Sequence, residues 1–204
     1  MELQVVALVP QEKKKIRVVL DNGESFLLYR GEIKSLSIVE GCFLTEDLYK
    51  KIIDEILGKR ATKRAMYLLQ RQERTEKQLR DKLQQSGYPM ECIEQAISYV
   101  KSYHYIDDYR YASVYIRYHQ EKESRQKLVF KLIMRGINRE VIERALEEEY
   151  VSDEKGQIQE LLRKRHYNPE TVDDKEYRKT AQFLLRKGFK NNDIFRAIEE
   201  YSVS

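Results

Sequence analysis

The residues best suited to chemistry in this chain are two adjacent carboxylate pairs, Asp107-Asp108 and Asp173-Asp174, and three histidines, His104, His119 and His166. A carboxylate pair can hold a divalent cation for metal-assisted phosphodiester cleavage. Both pairs, however, fall where the pattern begins a helix. Acids there cap free N–H groups and meet the positive end of the helix dipole. No histidine has a cysteine or a second histidine at ligand spacing, so surface or packing roles are expected for all three. Cys42 and Cys92 are far apart and suggest neither a metal site nor a disulfide framework. There is no phosphate-binding loop and no dinucleotide fingerprint. The sequence thus predicts a protein that is not an enzyme, with no catalytic residue, no metal and no cofactor. The run Glu147-Glu148-Glu149 reads as a solvated helix face.

The basic residues are more informative. Net charge is only +4 over 204 residues, so phosphate binding requires that cations cluster on one face. Residues 1–60 hold 10 basic and 10 acidic side chains, whereas residues 61–106 hold 8 and 5, so most of the excess lies in the second stretch. Its candidates for contact with nucleic acid or a protein partner are Lys63, Arg64, Arg71, Arg74, Lys77 and Arg80. Arg125 and Lys131 follow in the middle of the chain, and Arg163-Lys164-Arg165 form a tight run near its end. Fifteen tyrosines and no tryptophan is an unusual balance. Tyrosine can stack on bases, but the helical spacings of Tyr99 and Tyr103, and of Tyr111, Tyr115 and Tyr118, favour packing against the core.

The elements that must position these side chains come in two kinds. Residues 3–30 contain three β-prone runs, Val5–Val9, Ile16–Leu20 and Phe26–Tyr29. Asn22-Gly23 separates the last two, a hairpin signal in which both turn residues are expected at positive φ. Residues 31–45 favour no element. Thr45 is expected to cap a helix that Gly58 closes. From Thr62 onward the pattern is helical and repeats. Gly87, Gly136 and Gly188 each have a leucine four residues before (Leu83, Leu132, Leu184) and an isoleucine six after (Ile93, Ile142, Ile194). Each also has an alanine nine after (Ala96, Ala145, Ala197) and Ile97, Leu146 or Ile198 ten after. The glycine is expected to end the middle helix of each unit in the left-handed conformation.

Expected helix starts are Thr62, Thr75 (with Gln78 completing a capping box) and Pro89 in the first unit. They are Asp107, Ser124 and Asn138 in the second, and Ser152, Asp174 and Asn192 in the third. The fold class that follows is all-α: three tandem three-helix repeats over 61–106, 107–150 and 151–204, behind an N-terminal β-hairpin and linker helix in 1–60. Stacked repeats of this kind are expected to share a continuous core and form an elongated, curved body.

Several of these segments resemble the RecX family of regulators. Leu68 to Leu83, ending at Gly87, resembles the family's first-repeat signature of two arginines before a hydroxyl cap and a leucine-rich helix that ends in glycine. Tyr105–Ala112 resembles its Asp-Asp opening of the second repeat, and Leu128 to Gly136-Ile137 its leucine-rich segment. The link Glu123-Ser124-Arg125 departs from the glycine-containing link common in the family, and Thr75 and Gln78 stand where Ser and Glu are usual. The resemblance implies a modulator, in the inhibitory sense, of the RecA recombinase. Such a modulator binds RecA filaments on single-stranded DNA and limits filament extension, ATP hydrolysis and strand exchange, within DNA repair, recombination and the SOS response.

Two other classes fit parts of the pattern. Helix–Gly turn–helix units also describe a stand-alone helix-turn-helix DNA-binding regulator, and the acid pairs describe a nuclease. No apolar run is long enough to span a bilayer, and residues 1–10 carry neither a basic stretch nor a cleavage site. A monomer in the cytoplasm is therefore expected.

Overall fold

The structure is a computed structural model and describes residues 2–151 and 153–201. The chain forms two compact units, Met1–Asp107 and Asp108–Ser204.

In the first unit, strands β1 (Leu3–Pro10), β2 (Lys15–Leu20), β3 (Ser25–Tyr29) and β4 (Phe43–Leu44) form an antiparallel sheet in the order β3-β2-β1-β4. The expected ribbon is thus the larger part of a sheet. The segment 31–45, which has no clear periodicity, supplies helix α1 (Arg30–Ser35) and the short edge strand β4, which pairs with the start of β1. Alternation buries Val5, Val18, Leu20, Phe26, Leu28 and Leu44 on one face.

The two hairpin turns use opposite chemistry. At the turn after β2 only Gly23 has positive φ, at +85°. The Asn22 side chain instead accepts from the Glu24 N–H at 3.0 Å, an Asx-type closure, and this corrects the expectation that both residues are left-handed. At the turn after β1 the left-handed residues are Lys13 (φ 58°) and Lys14 (φ 61°). Side chains in that region cost roughly 1–2 kcal/mol each, a cost that Asn-Gly would largely avoid.

Thr45 caps the next helix as expected, accepting from the Leu48 N–H. Gly58 does not close it. Helix α2 (Glu46–Lys50), a π-helical segment Lys51–Gly58 and α3 (Lys59–Arg71) run on without a break, and Gly58 and Lys59 are both right-handed. A Cβ on Gly58 would lie 2.1 Å from Gln95 Oε1, so this glycine permits close packing of a neighbouring helix. Thr62 is consequently inside a helix, where its hydroxyl donates to the Gly58 carbonyl at 2.9 Å. Helices α4 (Glu76–Gln85) and α5 (Met90–Ser102) complete the first repeat, and Thr75 and Gln78 form the expected reciprocal capping box.

The second unit holds α6 (Asp108–His119), α7 (Arg125–Met134) and α8 (Arg139–Glu149), then α9 (Glu154–Lys164), α10 (Asp174–Arg186) and α11 (Asn191–Tyr201). Ser124 and Asn138 cap α7 and α8. Asp173, one residue before the expected Asp174, caps α10 and accepts from the Glu176 N–H. Asn192 is the second residue of α11 and not its cap. Ser152 lies outside the described residues. The observed cap of α9 is Asp153, which accepts from the Lys155 and Gly156 N–H groups.

All twelve aligned positions of the repeat are buried. In each repeat the third helix packs chiefly on the first, as α3 with α5, α6 with α8 and α9 with α11. The buried side chains fall into three clusters, one joining the sheet to the first repeat and one in each later repeat. Within the second unit the two later repeats therefore do not share the expected continuous core among the described residues, because each turns its Ile, Ala and Leu stripe inward on itself. The second and third repeats meet through polar contacts. Gln120 accepts from the Val151 N–H at 2.9 Å, and Lys127 Nζ donates to the Arg186 carbonyl at 2.9 Å.

The middle helices end identically. Tyr88, Ile137 and Phe189 donate N–H to the carbonyls of Leu83, Leu132 and Leu184, and Gly87, Gly136 and Gly188 donate to Gln84, Ile133 and Leu185. The three glycines have φ of 81°, 83° and 93°. Gly188 carries a second constraint, since a Cβ there would lie 2.8 Å from Lys127 Cβ and 2.6 Å from Ser124 Oγ. Gly188→Ala is expected to cost about 1–3 kcal/mol by adding a steric clash to left-handed strain. A chemical-denaturation midpoint unchanged from wild type would contradict this account of the helix end. Cys92, fully buried, has its thiol pushed up to about 12 by desolvation, then by the charge of Glu91. It should resist alkylation at pH 8 in the native protein and react readily once the chain is unfolded.

Candidate nucleic-acid and partner interface

Helix α3 presents cations and an aromatic ring on its open side. Arg64 and Arg71 flank the exposed Tyr67, their guanidinium carbons 5.4 and 4.8 Å from the ring centre. This follows from i, i+3 and i+7 spacing, which puts Arg64, Tyr67 and Arg71 on one stripe, while Ala61, Ala65 and Leu68 fill the buried stripe. Arg60 begins the same row. Sequence reasoning singled out Arg64 and Arg71 but passed over Arg60 and Tyr67. The periodic Arg-x3-Arg-x2-Tyr-x3-Arg spacing was the available signal.

The other candidate cations are more engaged. Helix α3 ends at Arg71 and the chain turns extended at Gln72, so Arg74 stands in the connection to α4. Arg74 is half-buried, and its Nε is buried without a hydrogen-bond partner. It is therefore less exposed than the sequence suggested. Lys77 pairs with Asp81 at 2.7 Å. Arg80 joins Glu76 of its own helix to Glu94 of α5. The hydrogen bond from Arg80 holds the Glu94 carboxyl below its ordinary range. At Glu76, burial opposes ionisation, but hydrogen bonds from Lys101 and Arg80 outweigh it and lower that carboxyl as well. Arg125 pairs with Glu143 and Lys131 with Glu123. Arg163 and Lys164 share Glu160, and Arg165 lies over the Phe183 ring at 4.6 Å. Lys63 and Arg64 form no ion pair with a carboxylate among the described residues.

The acids and tyrosines are also placed. Asp107-Asp108 and Asp173-Asp174 stand at the starts of α6 and α10, as expected. Among the described residues no cluster of His, Cys, Asp and Glu is arranged to hold a metal ion. The acidic run at the end of α8 is not simply solvated: Glu149 takes a two-point contact from Arg117, and Glu148 accepts from the Tyr109 hydroxyl. Tyr111 and Tyr115 pack on the second core, whereas Tyr99, Tyr103 and Tyr118 are exposed, against the expectation from spacing. Ile93, Ala96, Ile97 and Val100 occupy the inward stripe of α5 and leave Tyr99 and Tyr103 outside it. His104 and His166 occupy the left-handed position after α5 and α9 (φ 54° and 53°), and His119 stacks on Tyr115 at 4.0 Å. No helix among the described residues is long and apolar enough to cross a membrane.

The three-helix units just described coincide with known sequence patterns. Residues 61–99 match "RecX, first three-helix domain", residues 107–146 the second and residues 153–198 the third. The chain belongs to the RecX family. Among RecX relatives, "Regulatory protein RecX" of Caldanaerobacter subterraneus subsp. tengcongensis is 30% identical over 196 residues, covering 95% of this chain and 98% of that protein. The protein of the same name from Clostridium acetobutylicum is 28% identical, covering 98% of this chain and 97% of that one. The fold agrees with a solved structure titled "Crystal structure of regulatory protein RecX", at a TM-score of 0.63 and 22% identity over 97% of this chain and 99% of that one. It also agrees with RecX from Lactobacillus salivarius, at 0.62 and 24% identity over 72% of this chain and 98% of that one. RecX is a family of regulatory proteins, and a regulatory role follows for this member.

The Arg80 bridge gives a pH prediction. Carboxyls lowered by folding contribute stability above their unfolded value of about 4.3, and that contribution is lost as pH falls through the folded values. Arg80→Gln is expected to cost about 1 kcal/mol or less at pH 7, given the partial exposure of the pair. Its deficit against wild type should shrink towards zero as pH falls below about 4. Thermal unfolding of both proteins from pH 7 to 3 measures this, and a deficit independent of pH would contradict the ion-pair account.

Proposed function

We propose that this chain modulates, in the inhibitory direction, a RecA recombinase filament assembled on single-stranded DNA. In this reading it binds the filament as a monomer in the cytoplasm. It limits filament extension, ATP hydrolysis and strand exchange, and so acts in DNA repair, recombination and the SOS response. It hydrolyses nothing itself. The observation that carries the reading is the match to all three RecX domains, joined to the Arg64–Tyr67–Arg71 row on α3. Guanidinium groups and aromatic faces side by side suit a strand whose phosphates and bases are both accessible. The repeat boundaries we propose are 61–106, 107–150 and 151–204.

The experiment is RecA ATP hydrolysis on single-stranded DNA with and without this protein. Wild type should depress the rate. Arg64→Ala/Arg71→Ala should fold with nearly unchanged stability, because both side chains are exposed. It should inhibit RecA less and bind single-stranded DNA with a salt slope shallower by about 1.4, from ~0.7 per lost phosphate contact. An unaltered RecA rate with wild type would defeat the proposal. Sequence-specific binding to duplex DNA without RecA would favour the stand-alone helix-turn-helix reading.

A further inference from the structure

The sheet and the first repeat enclose an open groove of about 840 Å3, of whose lining the preceding reading uses only Arg64. The turn between β1 and β2 supplies Lys13 and Lys15 to it, and α3 supplies Arg60, Lys63 and Arg64. Facing these five cations are Glu12, which lines the groove, and Glu32, which pairs with Arg60. Among the described residues Lys13, Lys15 and Lys63 have no carboxylate partner. Two aromatic residues complete the walls. Tyr29 has Lys15 Nζ 5.8 Å and the Arg60 guanidinium 4.7 Å from its ring centre, and Tyr88 donates its hydroxyl to the Arg60 carbonyl.

Three further features bear on what this groove takes. First, residues 1–60 balance in charge, yet their side chains are sorted in space. Lys13, Lys15 and Arg60 line this groove with Glu12 as its one acid, whereas Glu46, Asp54 and Glu91 line a different cleft with Lys50 as its one cation. Second, the turn that carries Lys13 is strained, with two lysines in the left-handed region where the neighbouring hairpin uses a glycine. Observed strain at a site is grounds for a functional hypothesis. Third, the walls are fixed against each other. Leu27 of β3 packs so closely on Gly87 that a Cβ there would lie 2.7 Å from Leu27 Cδ1. A preformed cationic groove with one exposed aromatic ring, that of Tyr29, matches the chemistry of single-stranded nucleic acid, which presents phosphates and unstacked bases together. An acidic protein segment would use the cations but not the ring.

We propose that this groove binds the sugar–phosphate backbone of single-stranded nucleic acid, with the β1–β2 turn as its second wall. The inference rests on the reading that the chain works at single-stranded DNA, and it gives the N-terminal sheet a part in that contact. Binding of full-length protein to an oligo-dT strand, without RecA, tests it across a salt series. Lys13→Gln/Lys15→Gln should lower affinity on the order of tenfold at 0.1 M salt and make the salt slope shallower by ~1.4. Lys13→Asn/Lys14→Gly should raise the melting temperature, by relieving the turn, and still weaken oligo-dT binding. Wild-type affinity and slope in both turn variants would overturn the groove. The proposed function would stand in that case if Arg71→Ala, which lies outside the groove, still lost both DNA binding and RecA inhibition. If wild type fails to bind oligo-dT but inhibits RecA, the groove proposal falls and the modulator reading survives. Poly-glutamate that competes with oligo-dT for wild type as well as an unlabelled DNA strand does would also overturn it, in favour of an acidic protein segment.

Discussion

The constraint on which the rest of the structure depends is the way the middle helix of each repeat stops. A helix end leaves carbonyls without partners, and the cheapest closure within a short turn is a left-handed residue that lets two following N–H groups reach back. In all three repeats a buried leucine provides the receiving carbonyl, a glycine takes the left-handed conformation, and the next residue is Tyr88, Ile137 or Phe189. One short motif therefore satisfies the backbone, contributes a core leucine and sets the direction of the third helix. The same geometry recurs after α5 and α9 with His104 and His166 in place of glycine. Two of the three histidines are thus explained by backbone conformation without any chemistry of the imidazole, since histidine is among the residues enriched at positive φ.

Given those helix ends, each repeat closes its own core, and the charges are left to organise the surface. Several of them do so by pairing across helices: Arg80 holds α4 to α5, and Arg117 holds α6 to α8. Exposed pairs of this kind contribute little to stability individually, but they neutralise the cations they involve. Among the described residues, Lys13, Lys15, Lys63 and Arg64 around α3 and the turn after β1 have no carboxylate partner, and neither have Lys175, Lys179 and Lys190 in the second unit.

The sequence by itself determined the repeat, the glycine ends of its middle helices and several of its caps. These are local: a left-handed residue, a hydroxyl or amide at a helix start and a leucine one turn from a glycine are read from a few adjacent residues. Thr75, Ser124 and Asn138 were legible for that reason, and so was the hairpin. Errors of one residue at Asp173 and Asp174 arose because either acid can cap the helix and only the path of the backbone chooses between them. Gly58 misled because glycine has two uses. Its neighbours in sequence suggest a helix end, whereas its use is close approach to Gln95, some forty positions away.

Only the tertiary structure decided which cations remain available. Lys77, Arg80, Arg125 and Lys131 look equivalent to Lys63 and Arg64 in a composition count, but the carboxylates that engage three of them come from other helices or loops. The exposure of Tyr99 and Tyr103 was undetermined for a similar reason. Helical spacing states that residues share a face, and only packing states whether that face is covered. The groove was least legible of all. Lys13 and Lys15 come within reach of Arg60 and Lys63 because β3 packs on the turn at Gly87, a long-range contact that no local pattern encodes.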